Sequence, residues 1–257
     1  PYTSSAASDV YKRQVMDTKF WGPDCWNLLH CITQNYPESP SEYSKKNYKA
    51  FFNSLRKILP CKYCRNSTKI FMSEININDY LDSKQKLCKW LFLLHNKVND
   101  KLRNQGNPVK KNPSFSVINS RYKKKLNHYN DNPRIVPGID FLYSVVFNYT
   151  FSIDYKDKIC HKEYINFFNT FRYVIPFKIF KKVYIEHLNK YPIDKNICDS
   201  VFKLWIFALD GSYKRKFNDK LCYDCVCKKY AKYKAKCSIN TCKSVSYTHL
   251  RAHETPC

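Results

Sequence analysis

The chain has 257 residues, 44% of them hydrophobic and 16% aromatic, and a formal net charge of +24. That is enough apolar material for one large or two small cores, while no apolar run approaches the ~20 residues of a membrane span. There are only four glycines and no G-x-G-x-x-G motif, which excludes a dinucleotide-type fold and favours helices. The charge accompanies abundant Lys, Asn, Ile, Tyr and Phe, the joint pattern of a low-GC genome. The lysines are spread along the chain rather than gathered on a nucleic-acid module.

Ser4–Gln14 and Val245–Thr255 read as translated sequencing-adapter sequence, so residues 1–15 and 244–257 are expected to be artefactual extensions. Met16 is the expected start, and no signal peptide follows it, which predicts a cytoplasmic protein. The chain has 13 cysteines, and only Cys257 lies in an extension. So many cysteines in a non-secreted protein point to redox work or metal.

The segment 16–106 is predicted to be a four-helix bundle. The first helix is expected from about Asp24 to Asn35, with Pro23 just before it and Trp26, Leu29, His30 and Thr33 on one face. The second runs from Ser41, a capping residue, to Leu59, with Tyr48, Phe51, Phe52, Leu55 and Leu59 apolar. Pro60 ends it, and a third begins at Cys61. The fourth runs from about Ser83 to Leu102, with Leu87, Leu91, Leu94 and Val98 apolar and His95 and Asn99 one turn apart. Residues 107–135 carry Pro108, Pro113 and Pro133, many Asn and the basic run Arg121–Lys125. They read as a solvated linker.

The segment 136–218 repeats the first. Tyr48–Pro60 reappears as Tyr164–Pro176 and Gly22-Pro-Asp24 as Gly138-Ile-Asp140, both 116 residues on. Trp90–Leu94 reappears as Trp205–Leu209, 115 residues on. The expected fold is therefore all-α, with a second helical domain that is a degenerate duplicate of the first. Phe177 and Phe180 stand where Cys61 and Cys64 stood, Val146 replaces His30, and Asp210-Gly211 replaces His95-Asn96. Such a copy should fold and not react.

Cys61-Lys62-Tyr63-Cys64 sits at a predicted helix start. A helix N-terminus stabilises a thiolate through its partial positive charge and free N–H groups, and Lys62 and Arg65 add charge. Two intervening residues let a disulfide close within one turn. A zinc half-site is the alternative, with His30 and His95 as conceivable ligands, but no second Cys or His pair follows at zinc-like spacing in this segment. Cys25, Cys31, Cys88, Cys160 and Cys198 are expected to be buried thiols. The tail, 219–243, holds Cys222, Cys225, Cys227, Cys237 and Cys242. Two readings stay open there: a mobile redox pair drawn from Cys222, Cys225 and Cys227, or one zinc held by Cys222, Cys225, Cys237 and Cys242.

W-G-P-x-x-W-x-x-L-H, Y-P, P-C-x-x-C and W-L-x-x-x-H-N-x-V-N, in this order over roughly 20–103, resemble the Erv/ALR family of FAD-dependent sulfhydryl oxidases. The layout resembles thiol oxidases of large cytoplasmic DNA viruses. The resemblance implies a helical bundle holding FAD, with Cys64 against the flavin ring and Cys61 as the interchange thiol. It implies FAD contacts at Trp26, His30, His95, Asn96 and Asn99, with Trp21, Gly22 and Lys101 as weaker matches. Electrons would pass from a protein dithiol or a thioredoxin-like relay protein to Cys61–Cys64, to FAD and to O2, giving H2O2. The implied location is cytoplasmic, at a viral factory or in a virion, and the assembly a homodimer or an intramolecular pseudo-dimer. Cys88 has no partner where cellular members place one, since Asn stands at 104. The rival reading is a basic zinc-binding module or scaffold without oxidase activity.

Overall fold

The computed structural model describes residues 4–149, 161–193 and 198–232. They form ten α-helices, one 3-10 turn and no strand among the described residues. The first group comprises α1 (Ser4–Gln34), α2 (Glu42–Ile58), α3 (Lys62–Glu74), α4 (Lys84–Asn104) and α5 (Phe115–Asp131). The second comprises α6 (Ile139–Phe147), α7 (His161–Val174), α8 (Lys178–Lys190), α9 (Asp199–Arg215) and α10 (Tyr223–Lys232).

Local chemistry sets most boundaries. Ser41 and Ser83 each accept a hydrogen bond from the backbone N–H three residues on, Ser44 and Lys86, and so open α2 and α4. Pro60 denies α2 a continuing N–H, and the chain restarts at α3 with Cys61 as the residue before the first turn. Arg65 N–H donates to Cys61 C=O at 3.0 Å, closing that turn around the dithiol.

Two expectations need correction. Helix α1 starts at Ser4 rather than Asp24 and carries Pro23 inside it. Good helix formers such as Ala6, Ala7, Lys12, Arg13 and Gln14, with neither Gly nor Pro from Ser4 to Trp21, let the helix run on upstream. The greater departure is at 107–135, where the supposed linker contains the 17-residue helix α5. Ser114 caps it, and Phe115, Ile118, Tyr122, Leu126 and Tyr129 make an apolar stripe at helical spacing that packs against the core. That stripe lies on α1 and α4.

Within the first group α1 packs on α4, α2 on α3 and α3 on α4; within the second, α6 packs on α9, α7 on α8 and α8 on α9. The groups meet through α2 against α7 and α1 against α6. Phe51 stacks on Phe167, its counterpart 116 residues away, with ring centroids 5.4 Å apart. A residue meeting its own counterpart marks a self-complementary interface of the kind a two-fold axis produces. Smaller details repeat as well. Trp90 Nε1–H donates to Ile75 C=O at 2.9 Å and Trp205 Nε1–H to Tyr191 C=O at 2.7 Å. Phe177 precedes α8 in nearly the backbone conformation with which Cys61 precedes α3. Phe177 and Phe180 are 4% and 1% exposed, so the second group fills with apolar bulk the positions where the first holds half-buried sulfurs.

One contact breaks the symmetry. The Asp24 carboxylate accepts from Gly138 N–H at 2.8 Å and Phe141 N–H at 3.2 Å, and so caps α6 across the seam. Its counterpart Asp140 instead accepts from Lys229 Nζ at 2.7 Å and from the Tyr230 hydroxyl on α10.

Candidate functional site

The sequence places His30 four residues after Trp26 on α1 and His95 on α4, and the packing of α1 on α4 brings them together. Trp26 and His95 stack with centroids 3.8 Å apart and planes 6° from parallel. His30 Nε2 lies 3.1 Å from His95 Nδ1, one ring donating and the other accepting. The outer face of His30 is covered by Tyr122 of α5, stacked at 4.1 Å and 11°. Four rings from three helices thus form two stacked pairs, joined by the hydrogen bond between imidazoles tilted 41° to each other.

Burial keeps this stack uncharged. It lowers the His95 pKa to about 4 and pushes that of His30 well below the usual imidazole value, with His95 and Lys125 adding to the effect on His30. Both imidazoles are neutral at physiological pH. In the unfolded chain His95 takes up its proton near pH 6.5, but in the folded protein only near 4. Between those values the unfolded state binds more protons, so acidification through that window costs stability, for His95 alone about 3 kcal/mol. Burial raises the Asp24 and Asp210 carboxyls, which act in the opposite sense. The clean readout is therefore the difference between wild type and His95→Gln in urea unfolding at pH 7, 5.5 and 4.5. The wild type should lose more stability on acidification, and parallel curves would contradict the assignment.

The other expected site residues lie on α1 and α4 and at the start of α3. Asn99 Nδ2 donates to Asn112 Oδ1 at 2.9 Å, Asn96 is half-buried, and the Lys101 ammonium donates to Ser67 Oγ. Lys125 Nζ donates to Asn27 Oδ1 at 2.8 Å. Neither lysine pairs with a carboxylate among the described residues. Trp21 is turned to the seam, its ring 5.9 Å from Phe141, and Gly22 has open space around its Cα. Cys61 and Cys64 are half-buried thiols against the core. Arg65 is buried, and its Nη1 donates to Leu59 C=O at 2.7 Å.

Sequence reasoning missed Tyr122 and Lys125, because α5 was taken for a linker. The 3.6-residue stripe through Tyr122 was the available signal.

Cys25, Cys31 and Cys88 are buried as expected, and burial raises their pKa values, to about 12 for Cys31 and about 11 for Cys88. Cys198 is a correction: it is exposed, because it precedes α9, with its sulfur 3.2 Å from Ser200 Oγ. Cys160 lies outside the described residues. In the tail, Cys222 and Cys225 are joined as a disulfide and Cys227 is a thiol. Helix α10 lies on α6, and Tyr223 packs edge-on against Phe207, which seats the disulfide on the second group. Cys237, Cys242 and the extension 244–257 lie outside the described residues. None of the described helices is long and apolar enough to cross a membrane.

The aromatic, uncharged rings stand on α1, α4 and α5, and the half-buried cysteine pair opens α3, which packs on α4 in the same helix group. Residues 23–123, from α1 at Pro23 into α5, match the sequence model of the Erv1 / Alr family. The chain is 27% identical over 107 residues to the mitochondrial FAD-linked sulfhydryl oxidase erv1 of Schizosaccharomyces pombe, covering 42% of this chain and 57% of that protein. It is 36% identical over 85 residues to a probable FAD-linked sulfhydryl oxidase of Acanthamoeba polyphaga mimivirus (33% and 59%). It is 33% identical over 87 residues to the mitochondrial FAD-linked sulfhydryl oxidase of Saccharomyces cerevisiae (34% and 45%). The chain thus spans about half the length of these relatives.

Proposed function

We propose that the protein is an FAD-dependent thiol oxidase that forms disulfides in substrate dithiols and passes the electrons to O2, giving H2O2. The observation that carries this reading is the four-ring neutral stack within the family-matched segment that also holds the dithiol. The residues fit FAD. Trp26, His95, His30 and Tyr122 offer flat faces, Asn96 and Asn99 amide groups, and Lys101 and Lys125 ammonium groups suited to phosphates. When bound, FAD supplies the two-electron acceptor between the dithiol and O2.

The chain's own part is thiol–disulfide exchange. A substrate thiolate attacks Cys61 Sγ of the oxidised pair, the Cys61–Cys64 bond breaks, and Cys64 leaves as a thiolate. The second substrate thiol attacks the mixed disulfide, and Cys61 leaves with its electrons. The substrate is then a disulfide, and the pair is a dithiol. Cys64 is the sulfur assigned to the flavin side.

We assign the Cys222–Cys225 disulfide as an electron relay between a protein substrate and Cys61–Cys64. The rival zinc reading is not favoured, since two of its four ligands are joined to each other. One stoichiometric zinc in the native mass spectrum would overturn that assignment. We read the second helix group as a degenerate copy that takes the place of a partner subunit, making a pseudo-dimer within one chain. The mimiviral relative supports a cytoplasmic, viral-factory or virion setting.

The purified protein is expected to be yellow, to consume oxygen with dithiothreitol and to release one H2O2 per disulfide formed. A folded, colourless protein that consumes none would overturn the reading.

A further inference from the structure

A cavity of about 210 Å³ opens where α2 meets α7 and α8, on helices other than those that carry the ring stack. Tyr43, Asn47 and Tyr48 line it from α2, Arg172 and Tyr173 from α7, and Lys181 from α8. None of its lining residues is acidic. Lys181 makes no ion pair among the described residues. Its pKa is lowered by desolvation, as expected for a half-buried ammonium. Among the described residues Arg172 donates to Asn169 of its own helix, Nε to the carbonyl at 2.9 Å and Nη2 to Oδ1 at 3.1 Å. Tyr43 and Tyr173 meet edge to face at 5.8 Å and 82° at the mouth, where they are 63% and 37% exposed.

The pseudo-two-fold relation supplies an internal comparison. With the 116-residue offset, Arg172 corresponds to Arg56, Tyr173 to Lys57 and Asn47 to Glu163. In that other half Glu163 pairs with Lys57 at 3.8 Å, so the protein furnishes its own anion. Lys181 corresponds to Arg65, which donates to the Leu59 carbonyl. On the cavity side Asn47 is neutral, and its amide donates to Tyr43 C=O at 3.0 Å. The Glu163–Lys57 pair is thus replaced on the cavity side by uncharged Asn47 and Tyr173, and the cavity keeps Arg172 and Lys181 as its charged lining beside two tyrosine rings.

We propose that this cavity binds a small phosphate monoester carried on a flat ring. A phosphate monoester is close to a dianion at neutral pH and matches two cations, and its oxygens accept charge-assisted hydrogen bonds from guanidinium and ammonium. The ring lies against Tyr43 and Tyr173, whose faces serve any planar π system. The volume is below the usual ~300 Å³ of drug-sized pockets, which limits the buried part to the phosphate and one ring.

Titration calorimetry of the full chain with phenyl phosphate and with inorganic phosphate tests this. Phenyl phosphate should bind saturably and about tenfold more tightly than inorganic phosphate, a gain of one aromatic contact. Asn47→Glu, which restores the internal anion of the other half, and Lys181→Met should each weaken phenyl phosphate at least about tenfold, the loss of one charge-assisted contact. Both variants should keep wild-type oxygen consumption with dithiothreitol, which separates this site from the oxidase reading. No saturable binding of phenyl phosphate, or equal binding by wild type and both variants, would overturn the proposal. Equal affinity for inorganic and phenyl phosphate would overturn the ring contact.

Discussion

Cys61→Ser and Cys64→Ser are each expected to abolish oxygen consumption with dithiothreitol while the purified protein stays yellow. The reaction needs two sulfurs that alternate between a bond to each other and two thiols. Serine cannot form that bond, so no slower version of the same route remains. The drop should exceed about a thousandfold, equivalent to more than about 4 kcal/mol in the barrier. Flavin retention follows from where the proposed binding groups lie. Trp26 and His30 are on α1, His95 on α4 and Tyr122 on α5, while the dithiol opens α3. The turn around the dithiol is held by backbone, Arg65 N–H to Cys61 C=O, which neither substitution removes. The two variants should differ in one respect. In Cys61→Ser the flavin-side sulfur remains, so the flavin spectrum should differ from that of Cys64→Ser. Colourless protein from both variants would mean that the pair holds the fold rather than carrying electrons.

What could be read in the sequence was what depends on neighbours along the chain. Ser41 and Ser83 open α2 and α4 because a capping serine acts within one turn. The dithiol could be placed at a helix start because Pro60 precedes it. The 116-residue offset could be read because positions such as Phe51 and Phe167 carry the same residue, and these two meet across one seam. What was not legible depends on distance. Asp24 caps a helix 114 residues away, and no local pattern announces that. Tyr122 covers His30 only because α5 folds back onto α1. Helix α5 itself was hidden by composition. The prolines at 108 and 113 lie outside it, yet with the asparagines and the lysine run they gave the whole stretch the look of a linker. The choice of partners in the tail was a matter of geometry too. Cys222 could have joined Cys225 or shared a metal, and the spacing alone allows both. Cys198 was misplaced because a thiol is usually buried, whereas the position before a helix is usually exposed.

Gly138→Ala should be the most destabilising single methyl that can be added to this chain's glycines. Gly138 precedes α6 with φ at +97°, a conformation that costs an L-residue about 1–2 kcal/mol. Its missing Cβ would also lie 2.5 Å from Leu28 Cδ2, 2.8 Å from Leu28 Cβ and 2.9 Å from Cγ. The Leu28 Cβ is fixed to the α1 backbone and cannot swing aside, so α1 and α6 must separate. Overpacking of this kind costs a further ~1–3 kcal/mol. A total near 3 kcal/mol corresponds to a fall of roughly 6–12 °C in melting temperature for a chain of this size. Gly22 is the control, because it is the counterpart of Gly138 in the first group. It lies inside α1, and a Cβ there meets nothing within 4 Å. Gly22→Ala should therefore leave the melting temperature unchanged or raise it slightly, since alanine is the better helix residue by about 1 kcal/mol. The separation forced by Gly138→Ala also draws Asp24 from the α6 N–H groups, on the helix that carries Trp26 and His30. Weaker flavin retention should then accompany the lower melting temperature. Equal melting temperatures for the two glycine variants would show that the seam yields without cost, and that the close packing of α1 on α6 does not hold the two helix groups together.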